Sequence, residues 1–341
     1  MDKKLGKQTA ILEHPPALIA WASVVGQKEG RGPLAPQFDE IAADDALSQP
    51  TWEQAEIALQ RRALELALTK GSLTPEDLDW CFAGDLLNQC VSSSFAARGH
   101  GRPFLGLYGA CSTMGEGLIL AALALDGGFG QRAAVSASSH FCTAERQYRT
   151  PLEYGGQRPP TTQWTVTGAG TAVLAQSGSG PRLTHVTPGR IVDLGVTDAN
   201  NMGAAMAPAA ADTIAAHLRD TGRSPDFYDR IVTGDLGTLG SALLLRLLER
   251  EGFPLSNHMD CGASIFRARE QDVHSGGSGC GCCAAVLTGP LLNALADGTL
   301  RRILFCPTGA LHSPTTALQG ESIPGICHAV ALETAALSQE E

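Results

Sequence analysis

The sequence lacks the features of a membrane-spanning or exported chain. No window approaches the roughly 20 consecutive apolar residues that a transmembrane helix requires. The first residues, Met1 to Lys4, are not followed by the apolar core of a signal peptide. We therefore expect a cytoplasmic-type soluble chain without a transmembrane segment or signal peptide, at most peripherally associated with a membrane.

Positive charge is also scarce. The 25 Lys and Arg residues are outnumbered by 35 Asp and Glu residues, which gives a net charge of −10. A protein that binds a phosphate backbone needs an excess of cations on one surface, so we expect no nucleic-acid partner. Any anionic ligand must be held by a local cluster of positive groups.

The ten cysteines do not form the two C-x-x-C pairs of common zinc sites. The tightest cluster is Cys280, Cys282 and Cys283, in a C-x-C-C pattern. Most cysteines lie in apolar or Gly-rich stretches of a chain without a secretion signal, so we interpret them as free thiols in a reducing compartment. We predict no metal site and no resident cofactor.

An internal repeat organises the chain. Residues 74–86 read TPEDLDWCFAGDL and residues 224–236 read SPDFYDRIVTGDL, so that five identities, among them Asp85 and Asp235, recur at an offset of 150. The sequence around each copy agrees. A helix-like stretch precedes each copy, in residues 51–73 and 207–221. A Gly/Cys-rich turn, an apolar helix and a short strand follow each copy, in residues 109–139 and 277–310.

Alternating helices and strands of this kind indicate mostly parallel sheets covered by helices. We predict an α/β fold built from two similar halves about a pseudo-twofold axis, residues 1–180 and 181–341, joined at a Gly/Ser/Pro-rich seam. The alternative is that the matching segments are a chance similarity between two αβ units.

The first Gly/Cys-rich turn contains the best candidate nucleophile. Residues 109–115, GACSTMG, lead directly into an apolar helix, so Cys111 lies near a helix N-terminus. There the helix dipole and free N–H groups favour a thiolate. The competing interpretation is a small buried residue at a tight strand-to-helix turn.

This turn, in a duplicated α/β chain, resembles that of the thiolase superfamily, whose five-layer αβαβα fold places a reactive cysteine at such a helix start. Longer blocks resemble the stage V sporulation protein AD family of spore-forming bacteria, over about residues 6–333. They are GKQTAILEHPP, FAGDLLNQ, LYGACSTMGEG, SSHFCTAERQYRTPLEYGGQRPPTTQWTVTGAG, GRIVDLGVTD, NMGAAMAPAAADTI, GGSGCGC and TGALHSPTT.

The family resemblance implies a protein of the transport machinery of the spore inner membrane, with the other stage V sporulation A membrane proteins as partners. It implies binding of dipicolinic acid, pyridine-2,6-dicarboxylate, during its uptake into the developing spore. This ligand is usually handled with calcium, so calcium could accompany it. The thiolase resemblance implies a homodimer.

The catalytic partners of the thiol are missing from their expected places. A condensing enzyme must also polarise a thioester carbonyl and move a proton, typically with two His or with a His and an Asn. One of these histidines commonly lies where this repeat has Asp235, and residues 276–280, where the second partner is expected, contain neither His nor Asn. A carboxylate cannot donate to an oxyanion unless it is protonated. We therefore predict a catalytically degenerate protein with Cys111 as a vestigial nucleophile.

Two alternatives remain open. The chain could be an acyl-CoA-dependent acyltransferase or condensing enzyme in which His312 or His140 moves the proton, although such loop histidines are more often structural. Cys306 lies about where biosynthetic thiolases keep a second cysteine. The chain could instead be a scaffold that recruits membrane partners and has an empty pocket.

A flat dianion is best held by planar cationic forks, aromatic or apolar faces and N–H donors of tight turns. Residues 140–158 carry three arginines and two tyrosines. We predict that residues 140–165 form a cap loop over Cys111. Alternatively, this segment is a dimer contact whose arginines pair with Glu145, Glu153 and other carboxylates.

The predicted ligand-binding residues combine this cap with the two Gly/Cys-rich turns and the repeated aspartates. They are Asp85, Gln89, Cys111, Ser139, His140, Arg146, Arg149, Asp235 and Ser278. We expect the two aspartates to cap the turns that follow them, or to accept from a protonated ring nitrogen or a bound calcium.

Overall fold

The computed structural model describes residues 3–148 and 158–335. Its strands, in chain order, are β1 (Lys4–Leu5), β2 (Thr9–Ile11), β3 (Ala17–Val25), β4 (Glu40–Ile41), β5 (Trp80–Gly84), β6 (Phe104–Leu107), β7 (Arg132–Ser139), β8 (Trp164–Thr165), β9 (Gly168–Ala175), β10 (Arg182–Thr187), β11 (Arg230–Thr233), β12 (His258–Asp260), β13 (Gly277–Ser278), β14 (Arg302–Cys306), β15 (Thr308–Ala310), β16 (Gly325–Cys327) and β17 (Ala329–Glu333). Its α-helices are α1 (Trp52–Lys70), α2 (Val91–Ala97), α3 (Thr113–Asp126), α4 (Phe141–Tyr148), α5 (Met202–Thr221), α6 (Gly237–Arg250), α7 (Cys261–Ile265), α8 (Cys280–Val286), α9 (Leu292–Ala296) and α10 (Pro314–Leu318).

The main strands repeat the same order in each half. From the outer edge to the centre, the first half runs β6-β5-β7-β9-β3 and the second runs β12-β11-β14-β17-β10. In each half the two pairs at the outer edge are parallel, whereas the two pairs nearer the centre are antiparallel. The halves meet where Arg182 of β10 pairs with Ala17 of β3. This arrangement confirms the predicted α/β fold of two similar halves, while the boundary between residues 180 and 181 stays a prediction.

Helices pack on both halves of the strand order. Helix α1 packs on β3, β9 and β7, and α5 packs on β10 and β17. Helix α3 contacts strands of both halves, and α8 contacts strands of the first half and α3. A Cβ on Gly281 of α8 would lie 2.1 Å from the Gly168 carbonyl oxygen, so only glycine permits this approach. The central helices thus carry both Gly/Cys-rich turns to the middle of the molecule.

The predicted helix boundaries are right for α1 and partly wrong for α5. The Thr51 side chain accepts from the Gln54 N–H, as the predicted capping box requires. Helix α5 ends before Gly222 as expected, but it begins at Met202 rather than at residue 207 and includes Pro208. We attribute the earlier start to burial of Gly203, Ala205 and Met206, which offsets the hydrogen bond that Pro208 cannot donate.

Two further properties concern the described residues as a whole. Within residues 3–148 and 158–335, no helix is long and apolar enough to cross a membrane. All ten cysteines are free thiols, and nine of them are buried.

Candidate ligand-binding site beside Cys111

Cys111 lies in a tight turn between β6 and α3. Ala110, directly before it, has a φ of 51°, a left-handed conformation that costs a residue with a side chain on the order of 1 kcal/mol or more. The carbonyl of Ala110 accepts from the Thr113 hydroxyl at 2.6 Å and from the Cys280 thiol at 2.9 Å. Donors from α3 and α8 therefore hold the strained turn in place.

The Cys111 thiol is buried, with 6% of the residue exposed. Its Sγ atom lies 3.6 Å from the Ser278 hydroxyl. Burial raises the pKa of Cys111 far above its ordinary value, and the nearby Asp235 carboxyl raises it further. The helix start was expected to favour a thiolate. Desolvation outweighs this effect of the helix start because the thiol is buried.

A cavity of about 260 Å³ opens beside this thiol. Both halves of the chain contribute to its walls. Its lining residues are Asp85, Leu86, Tyr108, Ala110, Cys111, Ala144, Glu145, Tyr148, Gln163, Thr165, Ala199, Asn200, Met202, Ser278, Gly279, Ala310, Leu311, His312 and Ser313. Among the described residues, this lining includes two carboxyl groups and no Lys or Arg.

Asp85 follows β5 and forms part of the cavity wall. Its carboxylate accepts from the Leu87 N–H at 2.9 Å and from the Ser93 N–H at 2.8 Å, so it caps the segment that follows it. Glu56 lies buried behind it and accepts from the Ser138 and Thr143 hydroxyls. Burial and the charge of Asp85 raise the pKa of Glu56 to about 8. At neutral pH Glu56 keeps its proton. Burial also raises the pKa of Asp85, while its hydrogen bonds with Ser93 and Leu87 lower it.

Asp235 follows β11 and is fully buried. Neither carboxyl oxygen has a hydrogen-bond partner within the described part of the chain. The neighbouring Cys282 and Cys283 thiols point to the carbonyls of Gly234 and Cys111 instead. Burial, followed by the charge of Asp260, raises the pKa of Asp235 well above its ordinary value. Asp235 is not part of the cavity lining.

The structure brings four of the predicted site residues together around the cavity: Asp85, Cys111, Ser278 and His312. The His312 ring lies 5.7 Å from the ring of Tyr148, which also lines the cavity. Cys306 is fully buried in the second-half core, with its thiol near the Leu304 carbonyl. The roles of the four residues in ligand binding stay predictions.

Besides Asp235, four predicted ligand residues lie outside the cavity lining, and their roles in ligand binding stay predictions. Ser139 donates to the Val166 carbonyl at 2.7 Å and accepts from the Gly281 N–H at 3.0 Å, so it joins β7 to α8. Gln89 is exposed and has a left-handed φ of 60°. Ser139 therefore has a structural role, and Gln89 faces solvent.

His140 and Arg146 each have a partner that is far away in sequence. The His140 ring lies 2.7 Å from the Asp45 carbonyl through Nε2 and accepts from the Cys142 N–H through Nδ1. Burial lowers the pKa of His140, which keeps the ring neutral. Arg146 forms an ion pair with Glu53 of α1.

Part of the predicted cap falls outside the described residues, including Arg149, and that prediction stands untested. The described parts of the cap region do reach the cavity, with Ala144, Glu145 and Tyr148 from α4 and Gln163 and Thr165 near β8. The hydroxyl of Tyr148 donates to the Leu86 carbonyl at 2.5 Å.

Sequence reasoning missed several lining residues. Tyr108 directly precedes the Gly109 turn, and its position there could have been used as a signal. Asn200 and Met202 belong to the block that starts α5, which no local motif connects with Cys111. The chemistry of the site follows from what faces the thiol. The Ser278 hydroxyl is a weak base, whereas nucleophilic catalysis needs an activating base beside the thiol.

Comparison with known proteins agrees with this fold and with the sequence blocks. A model of the family described as stage V sporulation protein AD matches residues 6–333. The stage V sporulation protein AD of Bacillus subtilis (strain 168) is 45% identical over 334 residues, which cover 98% of each chain.

Solved structures of thiolase-like enzymes share the fold. The 3-oxoacyl-[acyl-carrier-protein] synthase III from Aquifex aeolicus VF5 is 14% identical with a TM-score of 0.56, covering 93% of this chain and 99% of its own. A variant of OleA from Xanthomonas campestris is 14% identical with a TM-score of 0.61, covering 98% of this chain and 99% of its own. The predicted resemblance is confirmed. The chain belongs to the stage V sporulation protein AD family and has a thiolase-like fold.

Proposed function

We propose that this protein binds dipicolinate, pyridine-2,6-dicarboxylate, in the cavity beside Cys111 without forming a covalent bond, and that it acts in uptake of this ligand into the developing spore. One observation carries the proposal: the thiolase-like turn is kept next to a cavity, and the side chain that lies 3.6 Å from its thiol is the Ser278 hydroxyl. The cavity volume of about 260 Å³ suits a single-ring ligand, since pockets for larger molecules run from about 300 to 1,000 Å³.

The wall chemistry supports a flat ligand with polar edges. Tyr108 and Tyr148 offer aromatic surfaces, and the Ser278 hydroxyl and the Asn200 amide offer hydrogen-bond donors. A pyridine ring against the tyrosines would place its carboxylates toward such donors.

The charge of the wall favours a ligand that arrives with a cation. A dianion facing Asp85 and Glu145 would be repelled, because the described lining has no Lys or Arg to neutralise it. Calcium prefers oxygen ligands, and the ring nitrogen and two carboxylates of dipicolinate would hold it while Asp85 adds an oxygen. Within the described residues no group of three or more His, Cys, Asp or Glu could hold a metal ion, so the cation would enter with the ligand.

Calorimetric titration of dipicolinate tests the proposal, with calcium and with a chelator. We expect binding that requires calcium, weakened at least about tenfold by Asp85→Asn, since one charged oxygen is worth about 1.4 kcal/mol or more. Arg146→Ala is the matched control, because Arg146 pairs with Glu53 outside the cavity. Absence of binding under both conditions would overturn the proposal in favour of a scaffold.

The variant Arg149→Ala separates two sources of positive charge. Calcium-independent binding that Arg149→Ala abolishes would reject the role of calcium and retain dipicolinate as the ligand. Calcium-dependent binding unaffected by Arg149→Ala would support the chelate and reject Arg149 as a ligand-binding residue.

We also propose that the protein works as a homodimer with the other stage V sporulation A membrane proteins at the spore inner membrane. Strand β6 ends the first half's sheet, and its Leu105 is 44% exposed beside an exposed Tyr108. An exposed apolar sheet edge commonly pairs with another chain. Light scattering of the purified protein should give twice the mass of the chain. The variant Leu105→Lys should have the mass of a single chain.

The alternative of an acyltransferase has one supporting observation, since His312 lines the same cavity as Cys111. Intact-protein mass spectrometry after exposure to acyl-CoA tests whether the chain is an acyltransferase. An acyl adduct that is lost in Cys111→Ala would establish the enzyme, whereas an unmodified wild-type chain would reject it.

A further inference from the structure

A group of exposed apolar side chains lies on two loops of the second half. Among the described residues, four large apolar side chains are more than 60% exposed, and one of them is Phe129. The other three are Ile191 at 61%, Leu194 at 69% and Leu318 at 90%. These three lie in residues 189–200 and 311–323, which we call the two rim loops. A single exposed leucine is ordinary, whereas a group of exposed apolar side chains indicates a binding surface.

The two rim loops are bonded to each other, and both reach the cavity beside Cys111. The Ile323 N–H of the second loop donates to the Val196 carbonyl of the first at 2.8 Å. Residues 199–200 of the first loop and residues 311–313 of the second line the cavity. The exposed apolar side chains therefore lie on the same two segments that form part of the cavity wall.

The first rim loop directs its apolar side chains both inward and outward. Val192 and Val196 are partly buried and pack against the core of the second half. Ile191 and Leu194, which are close to them in sequence, are exposed. Folding of the chain on itself therefore uses Val192 and Val196, whereas Ile191 and Leu194 remain available to bury apolar surface against another molecule.

The rim loops carry negative charge. They have the exposed carboxylates Asp193, Asp198 and Glu321 and no lysine. Their one arginine, Arg190, is compensated by Asp212, because it donates to both carboxylate oxygens at 2.9 and 2.5 Å. An acidic surface attracts lysine and arginine side chains and repels the anionic lipids of a bilayer.

We propose that the two rim loops form a docking surface for a protein segment that is both apolar and basic. Apolar side chains of the segment pack against Ile191, Leu194 and Leu318, and its lysines or arginines face the three carboxylates. A bilayer fits this surface poorly, because proteins that lie on membranes combine apolar side chains with basic residues of their own. The inference rests on the proposed role beside membrane proteins, and it specifies the surface that meets them.

The test measures binding of a short fluorescein-labelled peptide of leucine and lysine by fluorescence anisotropy, without dipicolinate or calcium. We expect the wild-type protein to bind it. The double variant Leu194→Ser/Leu318→Ser should bind at least about tenfold more weakly, because a few buried side chains supply most of the affinity of an interface. Glu321→Gln should weaken binding about twofold at low salt, because it removes one attractive charge. A peptide with glutamate in place of lysine should not bind.

Phe129→Ser is the matched control, because Phe129 is 74% exposed but lies outside the rim loops. This variant should bind the peptide as the wild type does. If the double variant does not fold, as judged by its thermal transition, Ile191→Ser replaces it.

Three results would overturn the proposal: no binding by the wild type, equal binding by the wild type and the double variant, or an equal loss in Phe129→Ser. Sedimentation of the protein with vesicles of anionic phospholipid would reject it in favour of a bilayer. Because the peptide experiment contains no dipicolinate, its failure is distinguishable from a failure of ligand binding in the calorimetric titration.

Discussion

Asp85 and Asp235 occupy equivalent positions in the two halves of the repeat, yet their surroundings differ completely. Asp85 accepts two backbone N–H groups and faces the cavity. The Asp235 oxygens have no hydrogen-bond partner among the described residues, and the residue is fully buried. The same residue type at the same strand end therefore has two different hydrogen-bonding environments. The repeat decides where each aspartate lies, and the neighbouring segments decide what it does.

The difference has a local cause in the segments that follow. After Asp85 the chain turns before α2 begins, so that the N–H groups of Leu87 and Ser93 point back at the carboxylate. After Asp235 helix α6 begins almost at once, and the N–H groups of Leu236 and Gly237 donate to Asp260 instead. The first N–H groups of a helix have no acceptor within the helix, and here another aspartate, Asp260, accepts from them.

The largest expected effect comes from removing the Asp260 carboxylate, which accepts from these N–H groups. Asp260→Ala leaves buried N–H groups of Leu236, Gly237 and Ala263 without an acceptor. We expect a loss of about 3–4 kcal/mol in the free energy of unfolding, since each buried unsatisfied donor costs about 1–3 kcal/mol. Urea unfolding measures it. The exposed Asp226→Ala should change stability by less than about 0.5 kcal/mol. A similar small change for Asp260→Ala would contradict this account of the helix start.

The same substitution at both repeat positions tests the comparison directly. Asp85→Leu should cost about 2–3 kcal/mol, because two buried N–H groups lose a carboxylate acceptor. Asp235→Leu should be neutral or stabilise by about 1 kcal/mol, because it replaces an unpaired buried carboxyl with an apolar group of similar size. Thermal and urea unfolding of the two variants in parallel provide the measurement. Equal destabilisation would mean that the two carboxyls are equally well paired.

A smaller effect should appear as a pH dependence of the free energy of unfolding, caused by Glu56 near Asp85. The folded-state pKa of Glu56 is raised to about 8 from 4.5, so its contribution to stability is fully present below about pH 4.5 and is lost as pH rises through about 8. Glu56→Gln removes this dependence. Between pH 6.5 and pH 9 we expect the variant to lose about 2 kcal/mol less stability than the wild type. Parallel pH curves for the two proteins would show that Glu56 does not titrate in this range.

Much of the fold could be predicted because the repeat carries it in sequence. The match between residues 74–86 and 224–236 predicted the paired halves, and the turn before α3 predicted the place of Cys111. Contacts between distant segments could not be predicted in this way. His140 bonds to Asp45 across 95 residues. Arg146 likewise pairs with Glu53 of another helix, and no local pattern reveals either partner.

The most direct measurement of the central claim is a crystal structure of the protein with dipicolinate and calcium. We predict a planar ligand in the cavity beside Tyr148, with calcium within bonding distance of Asp85 and no bond between the ligand and the Cys111 Sγ atom. An acyl group attached to Cys111, or a ligand bound outside this cavity, would contradict the interpretation of the site as a non-covalent binding pocket on a thiolase-like fold.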